Sequence, residues 1–204
     1  MSGDYGTLQN RIADELTRGD LTAQIQNAIQ SAIRFYESER FWFNEGESTA
    51  STAAGNQAYG VPADFLEPDE LTVTVSGNRY LLTPRPWIWM RDMSVTSVSR
   101  GHPTDWAYYA DQFWLYPVPD AVYTLTLSYL KRLPDLVVAG DSNAWTAHGE
   151  ELIRTRAKAD LFAHVMRDFD ESLAMKQLEA EALSNLRAKS AKKLTTGQLM
   201  PTSF

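Results

Sequence analysis

Apolar residues recur every three to four positions at both ends of the chain and every second position in the middle, which predicts helix, then sheet, then helix. Leu8, Ile12 and Leu16 define a first amphipathic helix that stops around Arg18-Gly19, and Asp20 is placed to cap a second. In the second, Leu21, Ile25, Ala28, Ile29, Ala32, Ile33 and Tyr36 form a continuous apolar stripe that runs into Phe41-Trp42-Phe43, a cluster expected in the core.

From Asn44 to Gly60 the residues turn small and polar, with Ala53 to Gln57 reading as a turn between two short strands, and Val61 to Phe65 breaking the pairing. Leu71 to Ser76 alternates, Gly77-Asn78 suits a tight turn, and Arg79 to Leu82 returns as a hairpin. Pro84 to Met93 reads as a short helix started by proline, whose Trp87 and Trp89 cannot both face inward, leaving one as an interface anchor. Trp106 to Tyr109 is expected to pair with Phe113 to Tyr116 through Asp111-Gln112. Beyond Pro117-Val118-Pro119-Asp120, Val122, Thr124, Thr126 and Ser128 alternate with Tyr123, Leu125, Leu127 and Tyr129, so Phe113 to Leu130 reads as a proline-bracketed hairpin.

The last third is helical, starting after Asp141-Ser142-Asn143 or at Thr146. Leu152, Ala159, Phe162 and Met166 share a face, Asp168-Phe169-Asp170 interrupts, and Met175, Leu178, Ala182 and Leu186 mark a final helix paired with it. The expected fold is α+β: a helical bundle formed by residues 1–43 and a helical hairpin at 137–194, an inserted β-rich domain at 44–136, and a flexible tail at 195–204.

Composition narrows the chemistry. The chain has 204 residues, long enough to bury a core without staples, and no cysteine, which excludes disulfides and thiolate catalysis. No apolar run approaches the roughly 20 residues that span a bilayer, and the first residues lack a signal-peptide pattern, so the expectation is a protein neither embedded nor exported. The net charge of −7 is carried by the residues before Glu70, while Arg187, Lys189, Lys192 and Lys193 follow the last acidic residue of the chain. Such a balance argues against tight nucleic-acid binding.

His102, His148 and His164 are scattered. Asp160 and His164 lie four apart on one helix, which suits a surface polar pair better than a metal site, and His148 to Glu151 reads as an acid-rich helix start rather than an acid–base centre. No phosphate-binding glycine loop and no GxSxG turn occurs. No catalytic, cofactor-binding or metal-binding residue is assigned, which leaves an interaction protein.

Tyr59-Gly60-Val61-Pro62-Ala63-Asp64-Phe65-Leu66, then Gly101-His102-Pro103, then Trp114-Leu115-Tyr116-Pro117-Val118-Pro119-Asp120 before an alternating strand, all between helix pairs, resemble the head-to-tail adaptor (connector) proteins of short-tailed bacteriophages, also called tail tubular protein A-like. The resemblance implies a structural virion protein of the neck and tail, made in the host cytoplasm. It further implies a ring of twelve copies that joins the portal protein to a tail nozzle or tail fibre protein and extends the DNA channel without binding DNA specifically. Lys192 and Lys193 would then steer the tail towards an acidic portal, with Leu199, Met200 and Phe204 as apolar anchors. Trp87, Trp89, Trp114 and Tyr116 are the other interface candidates. Alternatives are another neck or tail ring component, such as a head-completion or tail terminator protein, and a carbohydrate-active accessory enzyme, which needs carboxylates grouped in a cleft.

Overall fold

The computed structural model describes residues 3–96 and 99–194. In chain order its elements are α1 (Tyr5–Leu16), α2 (Thr22–Tyr36), β1 (Glu45–Ser51), β2 (Ala58–Gly60), β3 (Phe65–Val75), β4 (Asn78–Leu81), β5 (Thr83–Pro84), α3 (Trp87–Thr96), β6 (Arg100–Gly101), β7 (Asp105–Tyr109), β8 (Gln112–Tyr116), β9 (Val118–Pro119), β10 (Thr124–Lys131), α4 (Ala144–His148), α5 (Glu150–Leu161), a π-helical turn (Phe162–Met166) and α6 (Phe169–Leu194). The fold is α+β, and the chain divides into two compact units, residues 1–44 with 133–204 and residues 45–132.

In the helical unit, α1 starts where the Asp4 carboxylate accepts the Thr7 N–H at 2.7 Å and stops where Thr17 turns left-handed at φ 53°. Asp20, expected to cap α2, does not do so: Leu21 holds the cap position, and the Arg18 guanidinium grips Asp20 from two residues away and pushes its carboxyl down to about 2. The amino- and carboxy-terminal helices share one core, in which Ile12, Ile25, Ile29, Phe41, Trp145, Leu152, Ile153 and Leu161 are buried. A capping box of Asn143 and Thr146 fixes the start of α4 and aims Trp145 inward against Phe41 and Phe43.

α5 passes into the π-helical turn, and Arg167, left-handed at φ 58°, ends it before α6 begins. Ser172, Glu179, Ala182, Leu186 and Ser190 are the buried positions of α6, whereas Leu178, expected to pack inward, is 46% exposed. The inward stripe is narrow because small and polar side chains let α6 approach α5 closely: the Ser172 hydroxyl donates to the Ala159 carbonyl at 3.0 Å.

The β unit is built from two principal sheets. One is antiparallel in the order β1-β10-β3-β4; the other runs β2-β8-β7-β5, with β5 parallel to β7. Leu71, Val73, Leu125, Leu127 and Tyr129 of the first and Trp106, Phe113 and Leu115 of the second bury their side chains in one core. The predicted β3–β4 hairpin forms, although its two turn residues are Ser76 and Gly77, both at positive φ, rather than Gly77 and Asn78. β7 and β8 also pair as predicted, although their turn residues are Ala110 and Asp111, again at positive φ, rather than Asp111 and Gln112, because Gln112 already pairs with Tyr109.

The hairpin expected over Phe113 to Leu130 does not form: β8 belongs to one sheet and β10 to the other. The intervening prolines cannot donate to a ladder, and β9 instead pairs in parallel with β6, carrying the chain from sheet to sheet. Ala53 to Gln57 makes a similar crossing, because β1 pairs with β10 and β2 with β8. Where Pro68 faces Tyr129, the β3–β10 register shifts, as a strand proline requires. Among the described residues, no helix is long and apolar enough to cross a membrane.

The Tyr129 hydroxyl donates to Asp64 at 2.9 Å; burial pushes the phenol up to about 12, and the carboxylate acts in the same sense. A phenol whose pKa is raised in the folded state contributes stability that is fully present below the unfolded value of about 10 and is lost as pH rises through the folded one. The β unit is therefore expected to lose stability between about pH 10 and about 12, and Tyr129→Phe to remove that component in alkaline denaturation monitored by near-ultraviolet circular dichroism. Equal pH slopes for the two proteins would contradict the assignment.

Candidate interaction surfaces

The four aromatic residues proposed from sequence come together in the β unit. Trp87 and Trp89 lie two positions apart on α3, on either flank of Met90, which is the fully buried residue of the three. As expected, the two do not both face inward: each is half-buried, beside the fully buried Met90. Trp87 stacks on Tyr109 with ring centroids 4.2 Å apart and meets Trp114 at 5.1 Å, while Trp89 meets Tyr116 edge-on at 5.6 Å. Arg85 lies over the Trp89 ring at 5.0 Å and is held by Asp105 at 2.6 Å. Ile88 and Tyr109, 59% and 49% exposed, give this cluster an apolar outer rim.

The basic end of the helical unit is less isolated than its sequence suggests. Arg187 is not unopposed: it forms a two-pronged pair with Glu39 at 2.9 and 3.0 Å. Lys193 places its ammonium 4.4 Å from the centre of the Trp42 ring, and Lys192 lies in the same final turn of α6. Leu199, Met200 and Phe204 lie outside the described residues.

The residues weighed for chemistry are engaged in packing or pairing. Asp160 pairs with Arg156 at 3.6 Å and, with His164, Gln24, Asn27 and Ser31, lines a shallow depression of the helical unit. Among the described residues, no three of His, Asp and Glu converge as metal ligands. His148 packs against Trp42 and Phe43, at 5.3 and 6.0 Å, and Glu150 and Glu151 occupy the first turn of α5. In the β unit, a cleft of about 250 Å³ lies between β1 and β2, walled by Ser48, Ala50, Tyr59 and Val61 over a floor of Leu71, Phe113, Leu125 and Leu127. It contains no carboxylate, whereas glycoside hydrolysis employs a pair of them.

Sequence reasoning missed the buried ionic group of the helical unit. Glu179, 6% exposed, accepts from the Tyr36 hydroxyl and, at 3.2 Å, from Arg156. Burial and this carboxylate push the Tyr36 phenol up. Arg156 also covers the Phe35 ring at 4.0 Å. No one-dimensional signal links positions 36, 156 and 179: Tyr36 reads as the end of an apolar stripe, and Arg156 and Glu179 as ordinary surface residue types, each on its own helix.

Comparison with curated proteins finds no match. The family model for the SU10 adaptor protein matches residues 4–200, which takes in both units and nearly the whole chain. This chain belongs to the SU10 adaptor protein family, a family of phage adaptor proteins.

Proposed function

We propose that this phage adaptor assembles as a ring, of twelve copies, that sits between the portal protein and the tail nozzle or fibres and extends the DNA channel. The observation that carries this reading is the family match along residues 4–200, which includes both the helical and the β unit. Charge supports it: a net −7 chain repels the phosphate backbone, and a channel wall of that sign lets DNA slide without holding it. The aromatic cluster around Trp87, Trp89, Trp114 and Tyr116 supplies a rigid, partly apolar surface of the kind that anchors partners at low ordering cost. The role is structural, with no reaction and no cofactor.

In this reading the carboxy-terminal end docks on the portal. Lys192 and Lys193 provide the attraction to acidic groups, and Leu199, Met200 and Phe204 the apolar contacts. Full-length protein is expected to retain purified portal protein in a pull-down, and a chain truncated after Leu194 to bind it at least about tenfold more weakly, in line with the loss of a few buried apolar anchors. Equal retention by both chains would remove the tail from the docking surface; no retention by either would remove the portal as the partner.

A further inference from the structure

The first sheet of the β unit has two open edges that complement one another. Among the described residues, β1 pairs only with β10 and β4 only with β3, so each edge presents a row of outward backbone groups. The β1 edge carries Glu45 and Glu47 and borders the apolar cleft beside Ser48 and Ala50. The β4 edge carries Arg79 together with Tyr80 and Leu81, which are 50% and 67% exposed. One edge is acidic beside an apolar slot; the other is basic with apolar side chains that are half exposed or more.

The pleat brings these features into step. Glu47 lies opposite Ser128, and Arg79 opposite Thr74, on the outer face of the sheet; Arg79 also donates to the outer-face Thr72 hydroxyl at 2.8 Å. Ser48 and Ala50 lie opposite core residues Leu127 and Leu125, and Tyr80 lies opposite core residue Val73, on the inner face. A β4 strand laid along β1 therefore puts Arg79 on the side of Glu47 and Tyr80 on the side of the cleft. Strand directions agree as well. The four strands alternate, so β4 and β1 run in opposite directions, and repeating the sheet side by side gives an antiparallel junction.

We propose that β4 of one copy adds to the free edge of β1 in the next, with Tyr80 entering the cleft and Arg79 pairing with Glu47 of its neighbour. This rests on the ring reading above. The contact joins two different surfaces, and such heterologous contacts close into rings when the rotation between copies allows. Within one copy Arg79 reaches Glu47 at 3.4 Å with both side chains more than half exposed, a weak pair that is readily exchanged for one between copies.

The test uses the full chain, which has no cysteine of its own. In a Tyr80→Cys, Ser48→Cys variant the two thiols of one copy sit on strands three spacings apart, roughly 14 Å, beyond the roughly 7 Å between Cα atoms that a disulfide spans. Oxidation is expected to give a ladder of linked copies. Arg79→Glu and Glu47→Arg alone are each expected to need roughly tenfold more protein to assemble, from a like-charge pair at every junction. An equimolar mixture of the two is expected to assemble as the wild type does, because an alternating ring pairs opposite charges at each junction while the pair inside each copy stays broken. Rings on the portal with no inter-copy disulfide and no rescue on mixing would overturn the junction and leave the ring standing. Absence of rings even for the wild type, with no ladder, would overturn both.

Discussion

Replacing Trp145 with alanine is expected to destabilise the helical unit by about 3 to 5 kcal/mol. The side chain is 2% exposed and meets Phe41 edge-on at 5.7 Å and Phe43 at 5.1 Å, so the rings that join the amino- and carboxy-terminal segments converge on it. The wall on its other side is equally tight: a Cβ added at Gly149 would lie 2.8 Å from the Trp145 ring, so the backbone already packs against the indole. For a chain of this size that loss corresponds to a fall in Tm of roughly 6 to 20 °C. Calorimetry decides it, with Phe169→Ala, at a site 72% exposed, as the control expected within about 0.5 kcal/mol of the parent. A Tm shift no larger than the control's would mean that the two segments do not depend on this residue for their common core.

Removing the Glu179 carboxylate is the second large effect. Glu179→Ala leaves the Tyr36 hydroxyl and one arm of Arg156 without their acceptor inside the unit, at a cost of about 3 kcal/mol. Asp160 and the Phe35 ring remain as partners for Arg156, which keeps the loss near the lower end for a buried pair. Because the cost comes from orphaned partners, replacing all three as Tyr36→Phe, Arg156→Leu and Glu179→Leu is expected to restore most of the stability. Chemical denaturation of the parent, Glu179→Ala and the triple variant separates the outcomes. A triple variant no better than Glu179→Ala would show that the network itself, and not the orphaned groups, supplies the stability.

Much of the architecture was legible because it follows from local periodicity. The stripe from Ile25 to Tyr36, the β3–β4 hairpin and the β7–β8 hairpin each depend on residues close in sequence, and each forms. The failures lie where pairing is a long-range choice. Phe113 to Tyr116 and Val122 to Leu130 carry strong strand patterns, but nothing in an alternating pattern says which neighbour a strand takes, and β8 and β10 take partners in different sheets. Asp20 failed for a local reason, since Arg18 competes for the carboxylate that a cap needs. At the candidate surfaces, the aromatic residue types in α3 and β8 pointed to Trp87, Trp89, Trp114 and Tyr116, but not to their stacking into one cluster with Tyr109. Glu179 was invisible because burial of a carboxylate depends on Tyr36 and Arg156 arriving from distant parts of the chain.

In the proposed role the protein works as a ring bound to the portal. Cryo-electron microscopy of the full-length chain mixed with the portal protein of its own phage tests it most directly. The expected result is a closed ring of twelve copies coaxial with the portal and open along its axis. Portal particles with bare ends in the presence of excess adaptor, or single copies bound without lateral contact, would contradict it.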